Sequence, residues 1–235
     1  MLRLLLLSNS SNPGCGYLEH ALGAIGEFLG PARELAFVPY AGVQTTAEEY
    51  AGKVRRALAP LGIAVRTVTA TGDPVAMLRT AEAVAVGGGN SFQLLKRMYE
   101  TGLLEVLRAR VLIGMPYLGW SAGSNLACPT IRTTNDMPVV EPPSFAALRL
   151  VPFQINPHYT NAVLPNHGGE TRDQRIAEFL ALNPAVRVVG LREGSWLRVE
   201  GEHIALHGPH PARIFEAAGE TREVGPATEL QFLWS

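Results

Sequence analysis

The sequence predicts an α/β protein, a mostly parallel twisted sheet with helices on both faces. Three observations carry this. Strand-like apolar runs alternate with segments of helical periodicity from the N-terminus to Gly123, the pattern of successive βα units. The runs are continuous rather than alternating, Leu4 to Leu7 most clearly, as strands covered on both faces require. Two strand-helix junctions are glycine-rich, Gly87-Gly88-Gly89-Asn90 and Gly119-Trp120-Ser121-Ala122-Gly123, and ligands of open α/β sheets bind at such junctions.

The elements follow in order. Residues 2–8 read as a buried first strand, and residues 17–29 carry Leu18, Leu22, Ile25, Phe28 and Leu29 at helical spacing. Residues 34–39 form a second strand. A helix over 46–61 has Thr46 as N-cap, Glu48 and Glu49 in its first turn and Gly62 as its stop. A third strand spans 65–70, and Asp73 and Pro74 open a short helix through Met77 and Leu78. The fourth strand, 83–86, runs into the triple glycine, and Asn90 or Ser91 caps the helix carrying Phe92, Leu95 and Met98. The fifth strand, 117–120, precedes a helix from Ala122. Prolines at 138, 142, 143, 152, 157 and 165 predict loops with short strands over 131–169. Residues 171–182 read as a helix, and 186–191, 196–199 and 204–206 as strands of an antiparallel C-terminal extension. No stretch is long enough to act as a linker, so residues 1–235 are expected to form a single α/β domain.

Composition limits the function. The chain is 47% hydrophobic and 17% charged, with a formal net charge of -1. It has no basic face or stripe, so no nucleic-acid partner is expected. Cys15 and Cys128 make no disulfide framework and have no metal-like spacing. The leucine run at the start is too short for a signal-peptide core, and no small-residue cleavage site follows. No apolar stretch reaches the roughly 20 residues of a membrane helix. The expectation is a soluble cytoplasmic protein with reduced thiols and no membrane partner.

Gly119 to Gly123 fits the G-x-S-x-G pattern, which puts a serine hydroxyl on a tight strand-to-helix turn. The helix N-terminus behind Ser121 offers N–H groups to a developing oxyanion, Ala122 first. Glycines of the triple run would let a second N–H approach it. The plainer alternatives are that Ser121 only caps a helix and that the triple glycine is only a turn. A phosphate loop is disfavoured, since neither G-x-G-x-x-G nor a Walker lysine is present.

A nucleophilic serine needs a base, and the base needs an orienter. His158 lies where the strand-like Gln154-Ile155-Asn156 breaks at Pro157, a place for a side chain aimed into a cleft; His167 is its rival. His20, His203, His207 and His210 have no chemical context. Glu193, where an apolar strand ends in a turn, and Asp136, in a polar loop, compete to orient the imidazole. Spacing leaves both open.

Several blocks resemble the peptidase E family, family S51 of the serine peptidases. They are Leu5-Leu6-Leu7-Ser8-Asn9-Ser10, Val86 to Leu95, Gly119 to Gly123, Asn125 to Met137, Gln154 to His158 and Gly169-Glu170-Thr171-Arg172. The likeness spans nearly the whole chain and is poorest at its C-terminal end. It implies a cofactor-independent enzyme that cleaves dipeptides beginning with aspartate (Asp-Xaa). It also implies a fold like that of class I glutamine amidotransferases. Carried over, Ser121 is the nucleophile, His158 the base and Glu193 the first choice for third member, with Asp136 still a candidate. The order Ser, His, Glu would differ from that of the α/β-hydrolases.

The expected chemistry is acyl transfer, with the oxyanion on N–H groups of Gly88 or Gly89 and Ala122. A substrate aspartate carboxylate calls for an arginine fork. Arg172 is the first candidate, and Arg132 and Arg175 are weaker. The substrate ammonium calls for Glu170 or Asp136, and Asn90 joins the expected substrate-binding set. A small peptide is the expected partner, and a homodimer is left open. Rival readings are a cyanophycinase-like exopeptidase, a carboxylesterase on the same elbow and a binding protein with a vestigial one.

Overall fold

Four consecutive leucines make the first strand, and both of its faces are covered. The computed structural model describes residues 1–162, 168–217 and 221–234. Along the chain come β1 (Arg3–Leu7), α1 (Leu22–Leu29), β2 (Glu34–Val38), α2 (Ala47–Leu58), β3 (Ala64–Thr67) and α3 (Pro74–Thr80). Next are β4 (Ala83–Val86), α4 (Ser91–Glu100), α5 (Leu103–Leu112), β5 (Tyr117–Trp120) and α6 (Ala122–Leu126). The rest are β6 (Gln154–Asn156), α7 (Arg172–Leu182), β7 (Val188–Gly190), β8 (Trp196–Glu200), β9 (His203–His207), β10 (Ala212–Phe215) and β11 (Thr221–Val224).

The main sheet has the order β3-β2-β4-β5-β1-β8-β9. Its first five strands are parallel, and β8 and β9 extend it antiparallel. Leu5 and Leu7 pack with Phe28, Val54, Leu118 and Trp120 on the α1 and α2 side. Leu4 and Leu6 pack with Val86, Leu95, Leu107 and Leu126 on the other. All four leucines are fully buried. Each such burial contributes roughly 1.5–3 kcal/mol. That is why the run has no polar alternation.

The predicted caps are in place. Thr46 and Glu49 close a capping box, Asp73 accepts from the Ala76 N–H at 2.8 Å, and Gly62 is left-handed with φ 65°. The helix expected from residue 17 starts only at Leu22, because Leu18 takes φ 59° and a short 3-10 turn intervenes. Helix α5 has no cap signal in the sequence, since its N-cap is Gly102, which has no side chain to bond. The antiparallel ending holds for β8 and β9 but not for all of β7. That strand leaves the main sheet, pairing parallel to β6 and antiparallel to β10 in a second sheet of order β11-β10-β7-β6. No helix among the described residues is long and apolar enough to cross a membrane.

Candidate active site

Ser121 follows the last residue of β5 and caps α6 with φ 53° and ψ -115°. That conformation is strained for a non-glycine residue, by of order 1–3 kcal/mol. Its surroundings allow it only because they lack side chains. A Cβ on Gly123 would lie 2.1 Å from the Val86 carbonyl oxygen, and one on Gly119 would lie 2.7 Å from the Gly123 carbonyl. A Cβ on Gly88 would lie 2.9 Å from the Ser121 Cβ, so the two glycine-rich junctions touch. Gly123→Ala should force backbone apart and destabilise the protein by about 3 kcal/mol. A thermal melt should show the loss, and an unchanged Tm would contradict the packing described.

His158 stands two residues beyond β6, with φ 53°. Its Nε2 lies 2.9 Å from Ser121 Oγ, and its Nδ1 lies 2.6 Å from Glu193 Oε1. Glu193 sits on the turn from β7 to β8, so the three side chains meet where the two sheets join. The end of β1 holds that meeting point. Ser8 Oγ accepts the His158 N–H at 2.9 Å and donates to the Leu191 carbonyl at 2.7 Å, and Asn9 Oδ1 accepts the Gly194 N–H at 2.8 Å. Asp136, the alternative orienter, does not reach the imidazole. Its Oδ2 instead accepts from the Ser91 N–H at 2.7 Å and Thr134 Oγ1 at 2.9 Å, at the N-terminus of α4. The rival base His167 falls outside the described residues.

The family-like block from Asn125 to Met137 is largely scaffold. Asn125 Nδ2 donates to the Ile155 carbonyl at 2.9 Å, and Asn156 Nδ2 to the Thr133 carbonyl at 2.8 Å. Asn135 Nδ2 donates to the Pro157 carbonyl at 2.7 Å, so the loop ties down the peptide just before His158.

Beside Ser121, the Gly87 N–H donates to Val38 and the Asn90 N–H to Ala41. The N–H groups of Gly88, Gly89 and Ala122 have no protein acceptor among the described residues. The Gly88 carbonyl is pinned from behind by the Tyr50 hydroxyl at 3.0 Å. In a trans peptide the following N–H points the opposite way. Tyr50 in turn accepts from Trp120 Nε1 at 3.0 Å and bonds the Tyr17 hydroxyl at 3.1 Å. Burial raises the Tyr50 pKa far above its usual value, so the hydroxyl stays a donor. Sequence reading passes over Tyr50, because on α2 it looks like any core aromatic.

Two cavities meet at Ser121. A cleft of about 730 Å³ runs from Ser121 and His158 past Gly88, Gly89 and Asn90 to the loop 41–45 and α2. An adjoining pocket of about 290 Å³ shares Ser121, Asp136 and His158 with the cleft and adds Ala122 and Arg172. Arg172 makes no ion pair or hydrogen bond among the described residues. Burial lowers its pKa first, then the nearby Arg175, while Glu193 raises it; a guanidinium remains charged throughout. Arg132 is taken by Asn183 Oδ1 at 2.8 Å, and Arg175 by Glu170 at 3.7 Å. Glu170 itself is exposed and does not line either cavity. Asn90 lines the cleft, but its side chain is engaged by the Gln93 N–H and the Met137 carbonyl.

A serine, an imidazole and a carboxylate in hydrogen-bonded sequence, facing free N–H groups, define the class of hydrolases that attack a carbonyl with an activated serine. Residues 4–207 match the model of Peptidase family S51. Peptidase E of a Nostoc species is 50% identical over 232 residues, which cover 98% of this chain and 96% of that one. Peptidase E of Shigella sonnei is 52% identical over 219 residues, 93% of this chain and 96% of the relative. The chain belongs to peptidase family S51. It is a peptidase, and the serine type agrees with the site. The crystal structure of a peptidase from an acI-B1 Actinobacterium shares the fold at TM-score 0.70 and 16% identity, over 98% of this chain and 96% of that one. A Listeria monocytogenes structure does so at TM-score 0.66 and 22% identity, over 89% and 99%.

Proposed function

We propose that this peptidase is a serine dipeptidase that hydrolyses Asp-Xaa through an acyl-enzyme on Ser121. The unpaired guanidinium of Arg172, in the same small pocket as Ser121, carries the reading. It is a fork waiting for a carboxylate one side chain away from the scissile bond. Full-length relatives named Peptidase E support it. His158 Nε2 takes the Ser121 proton, and Glu193 holds the imidazolium by its Nδ1–H. The N–H groups of Gly88 or Gly89 and of Ala122 receive the oxyanion. His158 then protonates the leaving amine, and water releases aspartate. Asp136, whose Oδ1 is open, meets the substrate ammonium; Glu170 is turned away from it. A cytoplasmic location goes with this reading, since Cys15 and Cys128 are free thiols.

The test compares hydrolysis of Asp-Leu, Leu-Leu and a neutral p-nitrophenyl ester. Cleavage of Asp-Leu alone supports the proposal, and preference for the ester sinks the substrate. Glu193→Gln should lower kcat by roughly a hundredfold. Replacing a buried triad carboxylate costs about 10⁴-fold, and Glu193 is half exposed, with 52% of its side chain accessible. A rate within twofold of wild type would remove Glu193 from the mechanism.

A further inference from the structure

The two cavities at Ser121 each hold one cation. Arg172 lines the small pocket and not the large cleft; Lys53 lines the cleft and not the pocket. The charged residues of the cleft are Glu49, Asp136 and Lys53. The two acids hold protein donors. Glu49 Oε2 receives the Thr46 N–H at 2.9 Å and the Thr46 hydroxyl at 2.7 Å, and Asp136 Oδ2 is bonded as described. Lys53 makes no ion pair among the described residues, although Glu49 is four residues before it on the same helix face. Its ammonium sits instead over the Tyr17 ring, 4.1 Å from the centroid. Tyr17 bonds Tyr50, and Tyr50 bonds Gly88, which abuts Ser121. The lysine is thus anchored along the cleft wall that leads to the nucleophile.

Resting on the Asp-Xaa reading, a substrate bound across Ser121 has three charges. The aspartyl carboxylate and the ammonium belong to the acyl half, in the Arg172 pocket. The third, the free carboxylate of the leaving residue, lies one residue beyond the scissile carbonyl, roughly 3.5 Å further along an extended chain. Past Ser121 it enters the adjoining cleft, whose one lysine or arginine is Lys53. We propose that Lys53 binds the C-terminal carboxylate of the leaving residue and so makes the enzyme select dipeptides over amides and longer peptides. A compact ammonium on a flexible four-carbon stem suits this task, because the carboxylate's position shifts with the leaving side chain. The acyl site, by contrast, sees one fixed side chain and uses a rigid fork.

The experiment measures kcat/KM for Asp-Leu, Asp-leucinamide and aspartyl p-nitroanilide, with wild type, Lys53→Met and Lys53→Arg, each variant checked by thermal melt. Wild type should prefer Asp-Leu to Asp-leucinamide by at least tenfold. In Lys53→Met that ratio should collapse towards one, chiefly through KM on Asp-Leu, and Lys53→Arg should restore most of it. A merely structural lysine would move all three substrates together and leave the ratio intact. A wild type that cleaves the amide as well as the free acid overturns the inference, as does an unchanged ratio in Lys53→Met. The p-nitroanilide has no terminal carboxylate and reports on the acyl side alone. Its cleavage with no free-acid preference would overturn only the Lys53 assignment. Failure to cleave it or either peptide would overturn the aspartyl reading, and Lys53's role with it.

Discussion

Ser121→Ala should lower kcat for Asp-Leu by roughly 10⁴-fold or more and leave Tm within a few degrees of wild type. The hydroxyl's one hydrogen bond among the described residues is to His158 Nε2, so its removal breaks no bond that holds the core. The backbone strain at φ 53° is shared by serine and alanine, since both have a Cβ. The residual rate should be that of a site with an intact oxyanion hole and no nucleophile. A double variant with His158→Ala should then be scarcely slower than either single one, because the two side chains act as one unit. Steady-state rates and thermal melts of the three variants check this. Substantial activity in Ser121→Ala would remove the acyl-enzyme from the mechanism.

Arg172→Met should cost kcat/KM on Asp-Leu roughly a hundredfold, with no gain on Leu-Leu. Removing one partner of a desolvated charge pair costs about 2–5 kcal/mol, and Arg172 is only half-buried, so the lower part of that range applies. Methionine keeps the aliphatic stem that packs the start of α7, so the loss isolates the charge. Arg172→Lys should recover part of the rate, since it restores a point charge without the fork. Equal kcat/KM for wild type and Arg172→Met would move carboxylate recognition to another residue.

The features legible in the sequence are those set by near neighbours. Leucines 4 to 7 declare a strand covered on both faces, and Thr46 with Glu49 declares a helix start within three residues. Ser121 was readable because its elbow needs small residues two positions away on either side, and the clashes that a Cβ would make explain the pattern. The choice between Glu193 and Asp136 was unreadable for the opposite reason. Glu193 reaches His158 on a turn fastened by Asn9, 185 residues upstream of its Gly194 partner, and by Ser8. Asp136 sits in a family-like block, yet its Oδ2 is held at the start of α4, away from a bond to His158. The placement of β7 was hidden likewise, since three residues cannot announce which of two sheets they join. Lys53 and Tyr50 lie on a helix whose caps and apolar stripe already account for it, so nothing local marks them as facing a cleft.

Strand β1 lies between β5, which begins at residue 117, and β8, which begins at residue 196. During synthesis the edge of β1 that pairs with β8 has no β8 to meet until nearly two hundred residues have followed it. At about 5–20 residues per second that edge stays open for roughly 10–40 seconds. An open apolar edge invites pairing with other nascent chains. The same closure fastens Ser8 and Asn9 to the segment from Leu191 to Gly194, which carries Glu193. On the proposed mechanism, the turn that orients His158 is set only once β8 has docked against β1.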